Sequence, residues 1–185
     1  MRAALAEMAD ETNDDATLVE RFRAGEARAF DELVRRHQDG ILRIVHRYVR
    51  DRDEAKDIAQ RAFVRAFQGI GRLRGGDSFR AWVYKIGVNL ALNWLRDRKR
   101  VRSEAEAGAE VPVAAIGASA LVAAEDDARL RAAIAELPPK QRLVLELRIY
   151  DELPFAEVAL VADCSENAAK VSFHLAVKKL RTLLS

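Results

Sequence analysis

The sequence predicts an all-α protein: two small helical domains joined by a flexible acidic linker. Three observations carry that prediction. Wherever apolar residues recur regularly they do so at helical spacing, and no stretch reads as a strand. Residues 103–125, "SEAEAGAEVPVAAIGASALVAAE", break the pattern; they are small, Ala-rich and acidic, without an aromatic residue. The chain then closes on a short helix, a turn of a few residues and a longer basic helix, a helix-turn-helix pattern. The expected organisation is an acidic tail at 1–14, a first domain at 15–102, a linker at 103–126 and a second domain at 127–185.

The elements follow in order. A first helix is expected over about Ala16–Ala24, capped by Asp14 or Asp15 and stopped by Gly25. A long second helix runs from Glu26 to about Tyr48, with Phe30, Leu33, Val34, Ile41, Leu42 and Val45 inward. A third spans about Glu54–Gln68, with Ile58, Phe63, Val64 and Phe67 inward. "GIGRLRGGDS" is rich in glycine and reads as a loop, after which Asp77 or Ser78 caps a helix opening at Phe79. Past the linker, "ARLRAAIAEL" ends at Pro138-Pro139, and "KQRLVLELRIY" forms the next helix. "PFAEVALVAD" starts on Pro154, and the last helix is capped by Ser165.

Half of the 185 residues are apolar, enough for a core. No apolar run approaches the ~20 residues that span a bilayer, so no membrane insertion is expected. "MRAALAEMADETNDD" is acidic where a signal peptide is basic, and a cytoplasmic protein is expected. The single cysteine, Cys164, excludes an internal disulfide and a cysteine-based zinc cluster. His37, His46 and His174 show no metal-ligand spacing, and no hydrolase triad, phosphate loop or dinucleotide fingerprint is present. Neither a metal nor another cofactor is expected. Net charge is only +2, but residues 72–102 carry nine basic and two acidic side chains, whereas 103–127 carry six acidic and none basic. The basic block suits phosphate; the acidic block does not.

Within that basic block, "FRAWVYKIGVNLALNWLRDRKR" places Trp82, Lys85, Asn89, Asn93, Arg96 and Arg100 on one stripe. Phe79, Val83, Ile86, Leu90 and Trp94 flank it on one side, and Tyr84, Val88, Leu92 and Leu95 on the other. The stripe is either a solvated window of a bundle helix or a nucleic-acid surface. In the second case amides read bases, cations hold phosphates and the indole stacks on an unpaired base. The last helix repeats the arrangement with Asn167, Lys170, His174, Lys178 and Arg181. Ala168, Val171 and Leu175 are expected inward on one flank, and Phe173, Val177, Leu180 and Leu184 on the other.

The stretch "DRDEAKDIAQRAF" clusters Asp53, Glu54 and Asp57. It resembles the aspartate-rich pattern by which all-α prenyl-diphosphate enzymes hold magnesium, yet a second carboxylate set is missing. The same residues suit a helix N-terminus, or a docking face for a basic partner helix with Gln60 adding hydrogen bonds.

"DIAQRAFVRAF", "SFRAWVYKIGVNLALNWLRDRKR" and "LPPKQRLVLELRIYDELPFAEVALVADCSENAAKVSFHLAVKKLR", in this order, resemble the extracytoplasmic-function (ECF) sigma factors of bacterial RNA polymerase, in the sigma-70 superfamily. The resemblance covers about residues 15–185. It implies a promoter-specificity subunit that is not itself an enzyme and is controlled by an anti-sigma factor. Its partners would be the polymerase core, through the β′ clamp helices and the β subunit, and promoter DNA. Asp57, Gln60 and Phe63 match positions that dock the core. Arg80, Trp82, Lys85, Asn89, Asn93, Arg96, Arg98, Lys99 and Arg100, with the loop from Gly69 to Ser78, match the part that opens the minus-ten element and captures flipped bases. Ser165, Glu166, Asn167, Lys170, His174 and Lys178 match the minus-thirty-five reader. The linker resembles the segment that threads toward the active-site cleft. Asn93 stands where Asp is common, Gly87-Val88 interrupt the usual I-A-x-N, and Ala168-Ala169 replace a usual Thr-Val. Ser172 and Val177 stand where basic residues are frequent, so fewer phosphate contacts follow. The alternatives are a stand-alone helix-turn-helix regulator, which binds duplex DNA tightly by itself, and more remotely the magnesium-diphosphate enzyme.

Overall fold

The computed structural model describes residues 14–74, 77–105 and 123–185, with side chains left undescribed at 101–105 and 123–128. Among these residues all regular structure is helical: α1 (Asp15–Arg23), α2 (Ala27–Tyr48), α3 (Arg52–Gly69), a 3-10 turn (Ile70–Arg72), α4 (Phe79–Ala105), α5 (Ala123–Ala135), α6 (Pro139–Ile149), α7 (Phe155–Val161) and α8 (Glu166–Leu184). The chain divides into two compact units, one ending at Leu92 and one beginning at Asn93, so the division falls inside α4. Helices α4 and α5 each enter the segment read as a linker by a few residues. The acidic tail at 1–13 and the middle of the linker at 106–122 lie outside the described residues.

In the first unit the caps fix the helix ends. Asp14 accepts a hydrogen bond from the Thr17 amide at 2.6 Å and starts α1. At the other end the Glu26 amide reaches back to the Arg21 carbonyl, and Gly25 takes φ +99, a left-handed conformation that glycine adopts without penalty. Asp51 accepts from the amides of Asp53 and Glu54 and starts α3. Ser78, not Asp77, caps α4, accepting from the Ala81 amide at 3.1 Å. Asp77 instead closes its loop by accepting from the Arg74 amide at 2.9 Å.

Helix α3 buries a face of small residues, Ala55, Ala59, Ala62 and Ala66, together with Ile58 and Phe63. Helix α2 brings Leu33, Ile41, Ile44 and Val45 to the same core, and α4 brings Phe79, Val83, Tyr84, Val88 and Leu90. Gly40 sets how closely α4 approaches α2, whereas Gly87 has room for a methyl group in ordinary contact. A Cβ on Gly87 would meet Ile41 and Val45 at 3.4 and 3.6 Å, and one on Gly40 would lie 2.1 Å from the Tyr84 hydroxyl. Tyr84 is buried, so its ring has little room to yield. Gly40→Ala is therefore expected to destabilise the protein by about 1–2 kcal/mol, overpacking outweighing the gain in helix propensity. Urea titration checks this against Gly71→Ala, whose Cβ would meet open space and which should leave the midpoint nearly unchanged.

Polar ties join α1 to the rest of the unit. The Arg23 guanidinium donates to the carbonyls of Ile70 and Leu73. Asp15 meets the His37 ring at 2.5 Å and Arg36 at 3.4 Å. Burial of the Asp15 carboxyl acts to raise its pKa, but the His37 and Arg36 contacts outweigh it and hold the group below the usual carboxylate range. A depressed pKa stabilises the fold above the unfolded value, and that contribution disappears as pH falls through the folded one. Asp15→Asn should thus cost about 1 kcal/mol at neutral pH after allowance for solvent screening. The gap between variant and parent should close in acid, as chemical denaturation at a series of pH values would show.

In the second unit Ala133, Ile134, Leu137, Leu145, Ala176 and Leu180 form a buried cluster, with Leu130, Phe173 and Val177 packed against it. Pro139 opens α6 and Pro154 caps α7, where a missing amide proton costs nothing. Lys179 donates to the Glu136 carbonyl at 2.8 Å and so fastens α8 to the end of α5. The turn between α7 and α8 holds Asp163 at φ 52, and the Cys164 amide reaches back to the Ala159 carbonyl. Aspartate here takes the left-handed place usually given to glycine. Ser165 accepts from the Ala168 amide at 3.2 Å and caps α8.

Six inward expectations are overturned, one of them Leu184, which is exposed at the end of α8. Val64 and Phe67 are 50% and 51% exposed on α3, and Leu92 is exposed on α4. Val171 and Leu175 are 53% and 45% exposed on α8. On α3 and α8 the alanines explain it. Each helix packs on its small residues, which leaves Val64, Val171 and Leu175 outward and Phe67 half-exposed, its ring still against Phe22 and Phe30 at 5.2 and 5.1 Å between centroids.

Candidate nucleic-acid interface

Helix α4 takes its first buried residue, Phe79, from the edge of an aromatic cluster. Phe22 and Phe30 lie 5.4 Å apart, Phe30 and Phe79 6.2 Å, and Phe79 and Trp82 6.2 Å between ring centroids. Trp82 ends this chain of rings. It is half-buried, and its six-membered ring covers Gly69, where an added Cβ would come within 3.1 Å. The indole is thus held on its inner side and open on its outer side.

From that fixed point the polar stripe continues along the helix. Lys85 is half-buried, and Asn89 is exposed. Arg80 lies half-buried with its guanidinium 5.9 Å from the Tyr84 ring centroid. Further along the same helix Asn93, Arg96, Arg98, Lys99 and Arg100 are all exposed. Arg96 donates to the Asn93 side-chain oxygen, and Arg98 sits 4.9 Å from the Trp94 ring centroid. An exposed amide row with cations held beside it can accept and donate to base edges while neutralising phosphates. Beside the start of α4, Leu73, Arg74 and Asp77 face Thr17, Glu20 and Ala24 across an open groove of about 530 Å³.

The α3 face differs from the sequence expectation. Asp57 and Gln60 are exposed, as a docking surface requires, and Asp57 lies 3.6 Å from Arg61. Phe63 is a correction: it is only 8% exposed and belongs to the core. The exposed row is Asp57, Gln60, Val64 and Phe67, at helical spacing. Sequence reasoning missed the last two because periodicity groups Phe63, Val64 and Phe67 as one apolar set. The signal was the alanine stripe, which marks the true contact face. Asp53 lies 3.5 Å from Lys56, and among the described residues no three His, Cys, Asp or Glu side chains gather as they would to hold a metal ion.

On α8, Ser165, Glu166, Asn167, Lys170, His174 and Lys178 are all exposed. Lys170 pairs with Glu166 at 2.7 Å and lies 6.0 Å from the Phe155 ring centroid. Arg148 approaches the same ring at 5.2 Å. Phe155 in turn meets Phe173 at 5.6 Å, so α7 and α8 share an aromatic contact behind this face. A short helix, a four-residue turn and a longer helix with one exposed cationic face give helix-turn-helix geometry.

Comparison with known proteins agrees with this arrangement. Residues 33–101 match the sigma-70 region 2 family and residues 127–180 the sigma-70 region 4 family. The chain is 36% identical over 160 residues to the RNA polymerase sigma-H factor of Pseudomonas aeruginosa, covering 81% of this chain and 83% of that protein. It is 32% identical over 160 residues to the ECF RNA polymerase sigma-E factor of Escherichia coli K12, with the same coverage. Among solved structures it is similar to CnrH in complex with the cytosolic domain of CnrY, at 25% identity and a TM-score of 0.68, covering 92% of this chain and 96% of that one. The sigma factor RpoE from Bartonella quintana, solved with the anti-sigma factor NepR, shares the fold at 19% identity and a TM-score of 0.68, covering 84% and 96%. With two family regions in order on an all-α frame and relatives matched along most of their length, this chain belongs to the sigma-70 family, among its ECF sigma factors.

Proposed function

We propose that this chain directs core RNA polymerase to a restricted set of promoters, α8 reading the minus-thirty-five element and α4 opening the minus-ten element. The observation that carries it is Trp82, fixed by Phe79 and Gly69 on one side and open on the other, on the same stripe as exposed Asn89. An indole so held can take the place of a neighbouring base when the duplex parts. The 530 Å³ groove beside Arg74 and Asp77 suits a base turned out of the stack. Asp57, Gln60, Val64 and Phe67 form the face for the polymerase core. The core supplies the chemistry, and this chain supplies recognition; it works where polymerase works, in the cytoplasm. Among the described residues no helix is long and apolar enough to cross a membrane.

CnrH is seen with the cytosolic domain of CnrY, and RpoE of Bartonella quintana with the anti-sigma factor NepR. A partner of that kind, an anti-sigma factor covering these surfaces, is part of the proposal. Reconstitution tests the whole reading. Core polymerase with this chain should produce run-off transcripts that core alone does not. The chain alone should bind promoter duplex weakly. Tight, steeply salt-dependent binding without polymerase, and no stimulation with it, would instead identify a stand-alone helix-turn-helix regulator.

A further inference from the structure

The exposed face of α8 is wider than its polar stripe. Alongside Lys170, His174 and Lys178 runs a second row at i, i+4 and i+8: Asn167, Val171 and Leu175. Val171 and Leu175 are among the most exposed large apolar side chains of the second unit. They stand outward because α8 packs through Ala169, Ala176 and Leu180 instead. We infer that Val171 and Leu175 are specificity-determining residues that read thymine methyl groups in the major groove of the upstream promoter element. This rests on the promoter-reading role proposed for α8.

The chemistry of the row supports that occupant. Neither side chain has a hydrogen-bond donor, so neither can read the guanine acceptors that arginine or lysine reads. The apolar feature of a base edge in the major groove is the thymine C5 methyl. Asn167, one turn before Val171 on the same row, carries the amide that suits adenine. Lys170, the cation nearest this row in sequence, is paired with Glu166 at 2.7 Å. Around the apolar pair, His174, Lys178 and Arg181 are exposed, a setting that favours a polyanion bearing apolar edge groups. Val171 and Leu175 are only about 6 Å apart along the helix axis. The two contacts therefore fall on thymines close together in the element, next to an adenine.

The test uses holoenzyme and promoter duplexes randomised in the upstream element. Transcribed members should be enriched in thymine at two nearby positions. Replacing each of those thymines with deoxyuridine removes only the methyl and should weaken initiation about fourfold per site. Val171→Ala and Leu175→Ala, both at exposed positions and checked for folding by circular dichroism, should each erase the thymine-over-uracil preference at one position. Equal initiation on thymine and deoxyuridine templates by the parent protein would overturn the inference while leaving the promoter-directing reading intact. So would alanine variants that lose affinity for core polymerase or a protein partner with the thymine preference unchanged, marking the row as a protein-docking face. Failure of the parent holoenzyme to transcribe any member would overturn both.

Discussion

Trp82→Ala should lower run-off transcription from a closed duplex promoter roughly tenfold, and far less from a template with a pre-melted bubble at minus ten. The physical ground is the proposed role of the indole in replacing stacking lost when the strands part, a cost the pre-melted template does not incur. Because Trp82 also packs against Phe79 and covers Gly69, alanine will remove some stability as well. Two comparisons separate these effects. Trp82→Phe retains a ring and should recover part of the activity on duplex. Asn89→Ala touches an exposed residue, should leave stability within about 0.5 kcal/mol, and should still impair initiation. If both templates lose activity equally in Trp82→Ala, the residue acts through the fold and not through strand opening.

Val64→Asp should weaken binding to core polymerase at least about tenfold, because it places a carboxylate inside the apolar half of the α3 face proposed to dock the core. Val64 is half-exposed, so global stability should barely change. Phe63→Ala should do the reverse. Phe63 is buried, and its loss should cost about 3–5 kcal/mol of stability. The folded fraction of that variant should still bind core normally. Fluorescence-detected binding to core, paired with denaturant titration, distinguishes the two. Normal affinity in Val64→Asp would move the docking surface off this face.

The pair Val64 and Phe63 also shows where sequence reading ends. Periodicity told that 52–69 is a helix with an apolar side, because one side must leave water for any amphipathic helix to fold. It did not tell where the centre of that side lies. Large side chains suggest a face centred on Phe63, Val64 and Phe67, but close packing favours the flat alanine stripe, and the centre moves. Helix α8 repeats the lesson, with Ala169 and Ala176 inward and Val171 and Leu175 outward. Caps were more legible, because a cap is a local bond between neighbours: Ser165 is where the sequence places it, and Asp14 is one of the two residues it offers for α1. Asp77 and Ser78 were both candidates by position, and only the loop geometry assigns the first to Arg74 and the second to α4.

By itself the sequence determined the helical class, the order of the helices, the basic block, the helix-turn-helix and the stripe that begins at Trp82. All of these are written in spacings of a few residues, within reach of local chemistry. Only the tertiary structure decided that Phe22, Phe30 and Phe79 brace Trp82, that Gly40 admits Tyr84, and which apolar residues face outward. Those facts depend on contacts between residues far apart in the chain. Which of several apolar faces is buried is settled by the neighbour that fills it.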